Sequence, residues 1–360
     1  MKSDATRSYA WERVLGGLNK DYDIPKNTER PPDFNELRGI TGGKDYLALI
    51  YADGNGMGQL LDGLKTLTLV RDTAESIDDA IFAAMSASVS AHLEVVPREG
   101  KIPPRFPFDM LLMGGDDAMI VAPASQALDV ACTLAKTFHE ETQKNDPEKI
   151  ARTLSIGVVF APVKYPFGLL YELAAETLRY AKREGTKRQH PASKYGDGTF
   201  INFMSVTGST SLSFEKIYKS LHKKTMMEEG REVALYATLR PYTVEELEAL
   251  LAAIRDGRRL GLGRTKLHQV REAVLKMNLT TSVYEGMALL NSWRQEQREF
   301  VMQHVYRLGN YYQQAHREAG KPGTDFPRVT FPWFADGDEV YRTSLLDFVE
   351  LYDFIAQEEG

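Results

Sequence analysis

Residues 108–123 read FDMLLMGGDDAMIVAP. Two apolar runs flank Gly114, Gly115, Asp116 and Asp117, a stretch of turn chemistry, and that pattern is a β-hairpin. Upstream, residues 46–61 read YLALIYADGNGMGQLL. The first part is short and almost wholly apolar, as in a buried central strand. SIDDAIFAAMSASVSAHLEVV then sets Ile77, Ile81, Met85, His92 and Val96 near one helical stripe. His92 reads as a buried or half-buried helix residue, because no partner lies near it in sequence. Beyond the hairpin, SQALDVACTLAKTFHEE spaces Leu128, Ala131, Leu134 and Phe138 as a helix with Ser125 as its cap. RTLSIGVVFAP is another buried strand, FGLLYELAAETLRYAKREG a helix ending near Gly185, and GTFINFM a last short strand. The first six elements run βαββαβ, the ferredoxin-like arrangement. In that topology strand one lies beside the hairpin, so Ala52–Asp53 is expected to face the Gly114–Asp117 turn.

The expected fold class is α+β: a ferredoxin-like domain followed by an all-helical C-terminal domain. A length of 360 residues suggests two or three domains. Residues 1–44 read as an N-terminal helix and a proline-containing connector, 45–206 as the ferredoxin-like domain, and 213–360 as the helical domain. Thr243 with Glu246 forms a capping-box pattern in the last of these. Hydrophobic content of 43% and charged content of 26% suit a globular chain with a real core. A formal charge of -6 argues against general affinity for duplex nucleic acid. The single cysteine, Cys132, leaves no internal disulfide and no cysteine-rich zinc site, and its place in a helical stripe suits core packing. No stretch reaches the ~20 apolar residues that cross a bilayer, and the acid-bearing N-terminus does not read as a signal peptide. A cytoplasmic location is the expectation.

Asp53, Asp116 and Asp117 carry the chemistry. Carboxylates crowded at one sheet end repel and raise one another's pKa values unless a cation neutralises them. Hard oxygen donors without nearby His or Cys call for Mg²⁺ or Mn²⁺ rather than zinc. Two such ions could polarise an α-phosphate and stabilise both oxygens of an in-line displacement. Gly54, Gly56 and Gly58 leave room for a triphosphate, and Gly114 and Gly115 keep the hairpin turn bare. Lys182, one residue past Ala181, could reach phosphates, and Lys187 and Arg188 follow in the next loop. Taken singly, each feature also has a structural reading. GGDD is a good tight turn, DGNGMG could be a loop or an off-spaced Rossmann turn, and Lys182 could be a solvated helix residue. The basic stretch RDGRRLGLGRTKLHQVR (255–271) is either a solvated corner with Thr265 as N-cap or a contact for RNA, nucleotide or a regulatory partner.

Together, YADGNGMG, LLMGGDDAMIVAP and ELAAETLRYAKREGTKR resemble the motifs of GGDEF-type nucleotidyl cyclase palms. The likeness runs to the cyclase palm of the large polymerase-like subunit of type III CRISPR complexes, and to the stand-alone minimal CRISPR polymerases. Diguanylate cyclases usually carry Glu as the second acid and then Phe; here the tetrad ends Asp117–Ala118, which points away from them. The resemblance covers about residues 45–206. It implies that Asp53, Asp116 and Asp117 hold metal ions, that Gly54 contributes its carbonyl, and that Lys182 contacts phosphate. By the same resemblance Gly54, Asn55, Gly56, Met57, Gly58, Gly114, Gly115, Lys187 and Arg188 would line the nucleotide. It implies a metal-dependent nucleotidyltransferase that converts ATP, or another NTP, into a cyclic oligonucleotide or cyclic dinucleotide in antiviral defence. A non-catalytic nucleotide or cyclic-nucleotide sensor and a GTP-using, diguanylate-cyclase-like enzyme stay open as alternatives. The chain departs from the CRISPR subunit in having no HD nuclease motif and no second recognisable palm. Cyclisation needs two nucleotides facing each other, so a homodimer through the palm is expected. A regulatory RNA or an effector protein is a further partner left open.

Overall fold

In the computed structural model, which describes residues 9–37, 45–97, 102–146, 150–185, 193–196, 198–206, 213–228, 230–306, 308, 331–336 and 339–355, the apolar run at residue 46 forms β1 (Tyr46–Gly54). Leu47, Ala48, Leu49, Ile50 and Ala52 are enclosed on both sides of the sheet, which is why the run shows no polar alternation. β1 pairs antiparallel with β3 (Asp117–Pro123) on one side and with β4 (Leu154–Pro162) on the other. β2 (Asp109–Gly114) joins β3 through the hairpin turn, and β5 (Phe200–Ser205) runs parallel to β4. The resulting order is β2-β3-β1-β4-β5. Strand one therefore lies beside the hairpin, as the ferredoxin-like reading requires, with Asp53 directly opposite Asp117.

Five helices accompany this sheet among the described residues: α1 (Tyr9–Gly16), α2 (Met57–Asp62), α3 (Leu67–His92), α4 (Ala127–Asn145) and α5 (Phe167–Gly185). Thr66 caps α3 by accepting from the Leu69 N–H. Ile77, Ala80, Ile81, Ala84, Met85 and Ser88 form its buried stripe, and it packs along α4. His92 is half-buried at the end of α3, where its Nε2 lies 2.7 Å from the Thr133 hydroxyl. The expected Ser125 cap of α4 is not formed: Gln126 is the N-cap, without a side-chain cap bond, and the Ser125 hydroxyl donates to Gln126 Oε1 at 2.6 Å. α5 lies on the face of the sheet that carries Asp53. Gly157 on β4 allows this, because a Cβ there would sit 2.6 Å from the Leu178 nitrogen and 2.8 Å from the Ala174 carbonyl.

Contacts divide the chain into two units, Met1–Arg188 with Ser193–Thr210, and Ser211–Gly360 with Gln189–Ala192. The α1 segment thus belongs with the palm. The second unit contains α6 (Phe214–Leu221), α7 (Val244–Arg259), α8 (Arg264–Leu275), α9 (Leu279–Asn291), α10 (Gln295–Phe300) and a Leu345–Tyr352 helix. The Thr243–Glu246 capping box is formed. This unit is helical over most of its described length, but the expectation of an all-helical domain is corrected by a four-stranded sheet. β6 (Lys223–Glu228), β7 (Arg231–Tyr236), β8 (Phe334–Ala335) and β9 (Val340–Arg342) run in the order β6-β7-β9-β8. Lys223 and Lys224 open β6, and both are exposed, so its sequence carries no apolar face to read. β8 and β9 are too short for any period to show.

Candidate active site

The site is built where the centre of the palm sheet ends. β1 delivers Asp53 and Gly54, and the hairpin delivers Asp116 and Asp117. The chain passes very close to itself here. Gly54 N–H donates to the Asp116 carbonyl at 3.2 Å. A Cβ on Gly54 would meet both Cβ and Oδ2 of Asp116 at 2.7 Å, so a glycine is required for β1 to approach the turn this closely. Gly115 takes a left-handed conformation, φ 61°, at the turn itself, and Gly56 does so, φ 71°, where α2 begins.

Lys182 reaches this point from α5. Its Nζ donates to Asp53 Oδ2 as an ion pair and to the Gly54 carbonyl at 2.8 Å. One ammonium thus bridges a carboxylate oxygen and a carbonyl oxygen that the sequence reading assigned to a metal. Burial lowers the Lys182 pKa. The Asp117 pKa is raised, first by burial and then by the Asp116 carboxylate beside it, which is the like-charge effect expected of crowded acids. Tyr51, two residues before Asp53, stacks on Tyr171 of α5 with ring centroids 6.1 Å apart. Its own pKa is raised, chiefly by burial and next by Asp117. Among the described residues no group of three or more His, Cys, Asp or Glu side chains is gathered tightly enough to hold a metal by itself.

Other expected site residues fall in different places. Asn55 is engaged within the protein at every polar end. Its N–H donates to the Thr153 carbonyl at 2.9 Å. Its Nδ2 donates to Thr153 Oγ1 at 3.0 Å and to the Gly198 carbonyl at 2.7 Å, and its Oδ1 accepts from the Ser155 hydroxyl at 2.9 Å. Asn55 therefore clamps the glycine turn to β4. Met57 turns into the core, with its Cγ against Gly54. Gly58 and Gly114 have open space where a side chain would stand. Lys187 and Arg188 lie outside the described residues. Two residues not singled out from sequence shape the site: Gly157, whose missing side chain seats α5, and Asp78 of α3, whose Oδ1 accepts from the Gly115 N–H at 2.8 Å. A glycine inside a buried strand is itself a sign of close backbone approach. Nothing in the pattern of α3 distinguishes Asp78 from Asp79.

The basic stretch 255–271 is largely absorbed by partners in its own unit. Arg258 donates to the Tyr352 carbonyl, Arg259 pairs with Asp256 at 2.9 Å, and Arg264 pairs with Asp353 at 3.0 Å. Lys266 donates to Gln297 at 2.6 Å, and Arg271 pairs with Glu272 at 3.0 Å. The N-cap of α8 is Gly263, not the expected Thr265.

Residues 46–190 match the family model of the Cas10/Cmr2 second palm domain. Among solved structures, the chain is similar to Csm1 of T. onnurineus, with 16% identity and a TM-score of 0.51 over 93% of this chain and 42% of that one. It is also similar to a Csm1–Csm4 cassette in complex with cA4, with 14% identity and a TM-score of 0.50 over 90% of this chain and 38% of that one. A GGDEF domain from Pseudomonas aeruginosa is a more distant match, at 13% identity and a TM-score of 0.26 over 44% of this chain and 77% of that one. No curated protein matches the sequence. At such identities the likeness shows the fold, and the chain spans about two fifths of the Csm1-containing chains it resembles. The family resemblance carried by the sequence motifs agrees with this match over the palm: residues 46–190 match the Cas10/Cmr2 second palm domain.

Proposed function

We propose that this chain is a metal-dependent nucleotidyltransferase that joins ATP, or another NTP, into a cyclic oligonucleotide or cyclic dinucleotide used as a signal in antiviral defence. The observation that carries this reading is the meeting of Asp53, Asp116 and Asp117 at one sheet end, with Lys182 of α5 on Asp53 and Gly54. The donors fit Mg²⁺ or Mn²⁺. They are hard oxygens, and Asp53 Oδ2 and the Gly54 carbonyl are near enough to serve one cation already. Asp53, Asp116, Asp117 and that carbonyl would hold the ions, with water and substrate phosphate completing a shell that protein side chains alone do not fill. When bound, the metal neutralises the triphosphate and polarises the α-phosphate. Lys182, freed from Asp53, would bind a phosphate oxygen. The open space at Gly58 and Gly114 leaves room for the nucleotide.

The reaction balances as a displacement at phosphorus. A ribose hydroxyl oxygen of one nucleotide bonds to the α-phosphorus of the other, the bond to the bridging oxygen breaks, pyrophosphate leaves, and the hydroxyl proton passes to water. Ring closure needs a second donor and acceptor site, which a homodimer meeting through the palm would supply. A solved structural relative was crystallised with cA4, and a cyclic oligoadenylate is the corresponding product here. The second reading is a sensor that binds nucleotide without turnover; the Lys182 ammonium resting on the oxygens assigned to metal favours it. Pyrophosphate release from each NTP in the presence of Mg²⁺ or Mn²⁺ separates the two. Release that disappears in Asp116→Ala supports the enzyme, whereas calorimetric binding without consumption supports the sensor.

A further inference from the structure

We propose that Arg13 and Asp78 form a brace that positions the GGDD turn for metal binding, so that the N-terminal helix is part of the working site. The proposal rests on the nucleotidyl-transfer reading of the acids. Gly115 is the residue before Asp116, and it holds a left-handed backbone conformation that glycine adopts without steric cost. That N–H donates to Asp78 Oδ1 at 2.8 Å. The other oxygen of the same carboxylate pairs with Arg13 of α1, and the second terminal nitrogen of Arg13 pairs with Asp79. The guanidinium carbon lies 4.0 Å from the centre of the Phe82 ring, one turn further along α3. Arg13 is thereby held by two carboxylates and an aromatic face, and it presents Asp78 to the turn in a single orientation.

The same helix also grips the other end of the hairpin. Trp11 stacks on Phe108, the residue before β2, with ring centroids 5.1 Å apart and planes 8° from parallel, and it packs on Phe106 at 5.2 Å. α1 thus fixes where β2 begins through Trp11 and where it ends through Arg13 and Asp78. Asp116 and Asp117 follow directly after the second of these points. Arg13 lies outside residues 46–190, the segment that matches the palm family model, whereas Asp78 and Gly115 lie within it. Asp78 and Arg13 are positioning residues, acting through the Gly115 amide rather than on substrate.

The full-length chain tests this with Asp78→Ala, Asp78→Asn, Arg13→Ala and Arg13→Lys. Three readouts are taken: amide exchange at Gly115, Mn²⁺ binding by electron paramagnetic resonance, and pyrophosphate release. Asp78→Ala is expected to deprotect the Gly115 amide and to weaken Mn²⁺ binding about tenfold, the loss of one charge-assisted hydrogen bond. Asp78→Asn keeps an oxygen for that amide and should recover most of both, while Arg13→Ala should fall between them and Arg13→Lys nearer to the parent. The metal concentration required for turnover should rise as Mn²⁺ affinity falls, with the rate at saturating metal changing less. Parental Gly115 exchange and parental Mn²⁺ affinity in Asp78→Ala would overturn the brace. If the parent protein releases no pyrophosphate, the enzymatic reading falls instead, and the brace is judged on Gly115 exchange and Mn²⁺ affinity alone.

Discussion

Asp117 stands opposite Asp53 across β1 and β3, and both burial and Asp116 oppose its ionisation. Its folded-state pKa lies above the ordinary carboxylate value, so its charge costs stability once the pH exceeds that folded value. The cost disappears as the pH falls below the value in the unfolded chain. Asp117→Asn should therefore abolish turnover yet raise the unfolding midpoint of metal-free protein at neutral pH, with the gain vanishing under acid. Thermal unfolding across pH checks this, and a lower midpoint at neutral pH would contradict it. Gly54→Ala should lose activity more than tenfold, because the new methyl meets Asp116 at 2.7 Å and must push the turn away; the stability cost is about 1–3 kcal/mol. The meeting of Asp53 and Asp117 at one sheet end was legible in the sequence because an apolar strand and a glycine hairpin turn fix where both acids fall. The clamp made by Asn55 and the core contact of Met57 were not legible, since the same letters serve a ligand shell as readily.

The glycine at 157 decides where α5 lies, and α5 decides where Lys182 reaches. Leu178, whose backbone touches the Gly157 position, is one helical turn before Lys182. Gly157→Ala should lift α5 from β4, destabilise the palm by about 1–3 kcal/mol and weaken nucleotide binding, measured by chemical denaturation and calorimetry. Wild-type values in both would contradict this account of the helix. The βαββαβ order was readable because the inner palm strands β1, β3 and β4 are buried on both faces and the helices that follow them keep an apolar stripe. The four-stranded sheet of the second unit was not. Val233 and Leu235 are its clearest inward residues on β7, and two alternating positions do not distinguish a strand from a helix edge.

The two units rest on different physics. The palm is held by apolar strands under helices. The second unit also encloses Arg240, whose Nε lies 3.0 Å from Asp347 and whose NH2 lies 3.1 Å from Glu350. Asp347 further accepts from Thr238, from the Leu239 N–H and from the Tyr242 hydroxyl. Asp347→Ala would leave the guanidinium buried beside a missing charge, and it should destabilise this unit by about 3–5 kcal/mol. Differential scanning calorimetry should show that transition move while the palm transition stays. None of this network was legible beforehand, because its members are scattered from Thr238 to Glu350 and meet only in the fold. At the scale of the whole molecule, the proposed reading closes the ring between two copies that meet through the palm. Light scattering should give the mass of two chains, and activity per chain should fall on dilution; a monomer fully active when dilute would exclude the palm–palm arrangement. The central claim is tested most directly by incubating the full-length protein with ATP and Mg²⁺ and analysing the products by mass spectrometry. The account predicts a cyclic adenylate, free of terminal phosphates, that is absent with Asp116→Ala; unchanged ATP in a sample of verified fold would contradict it.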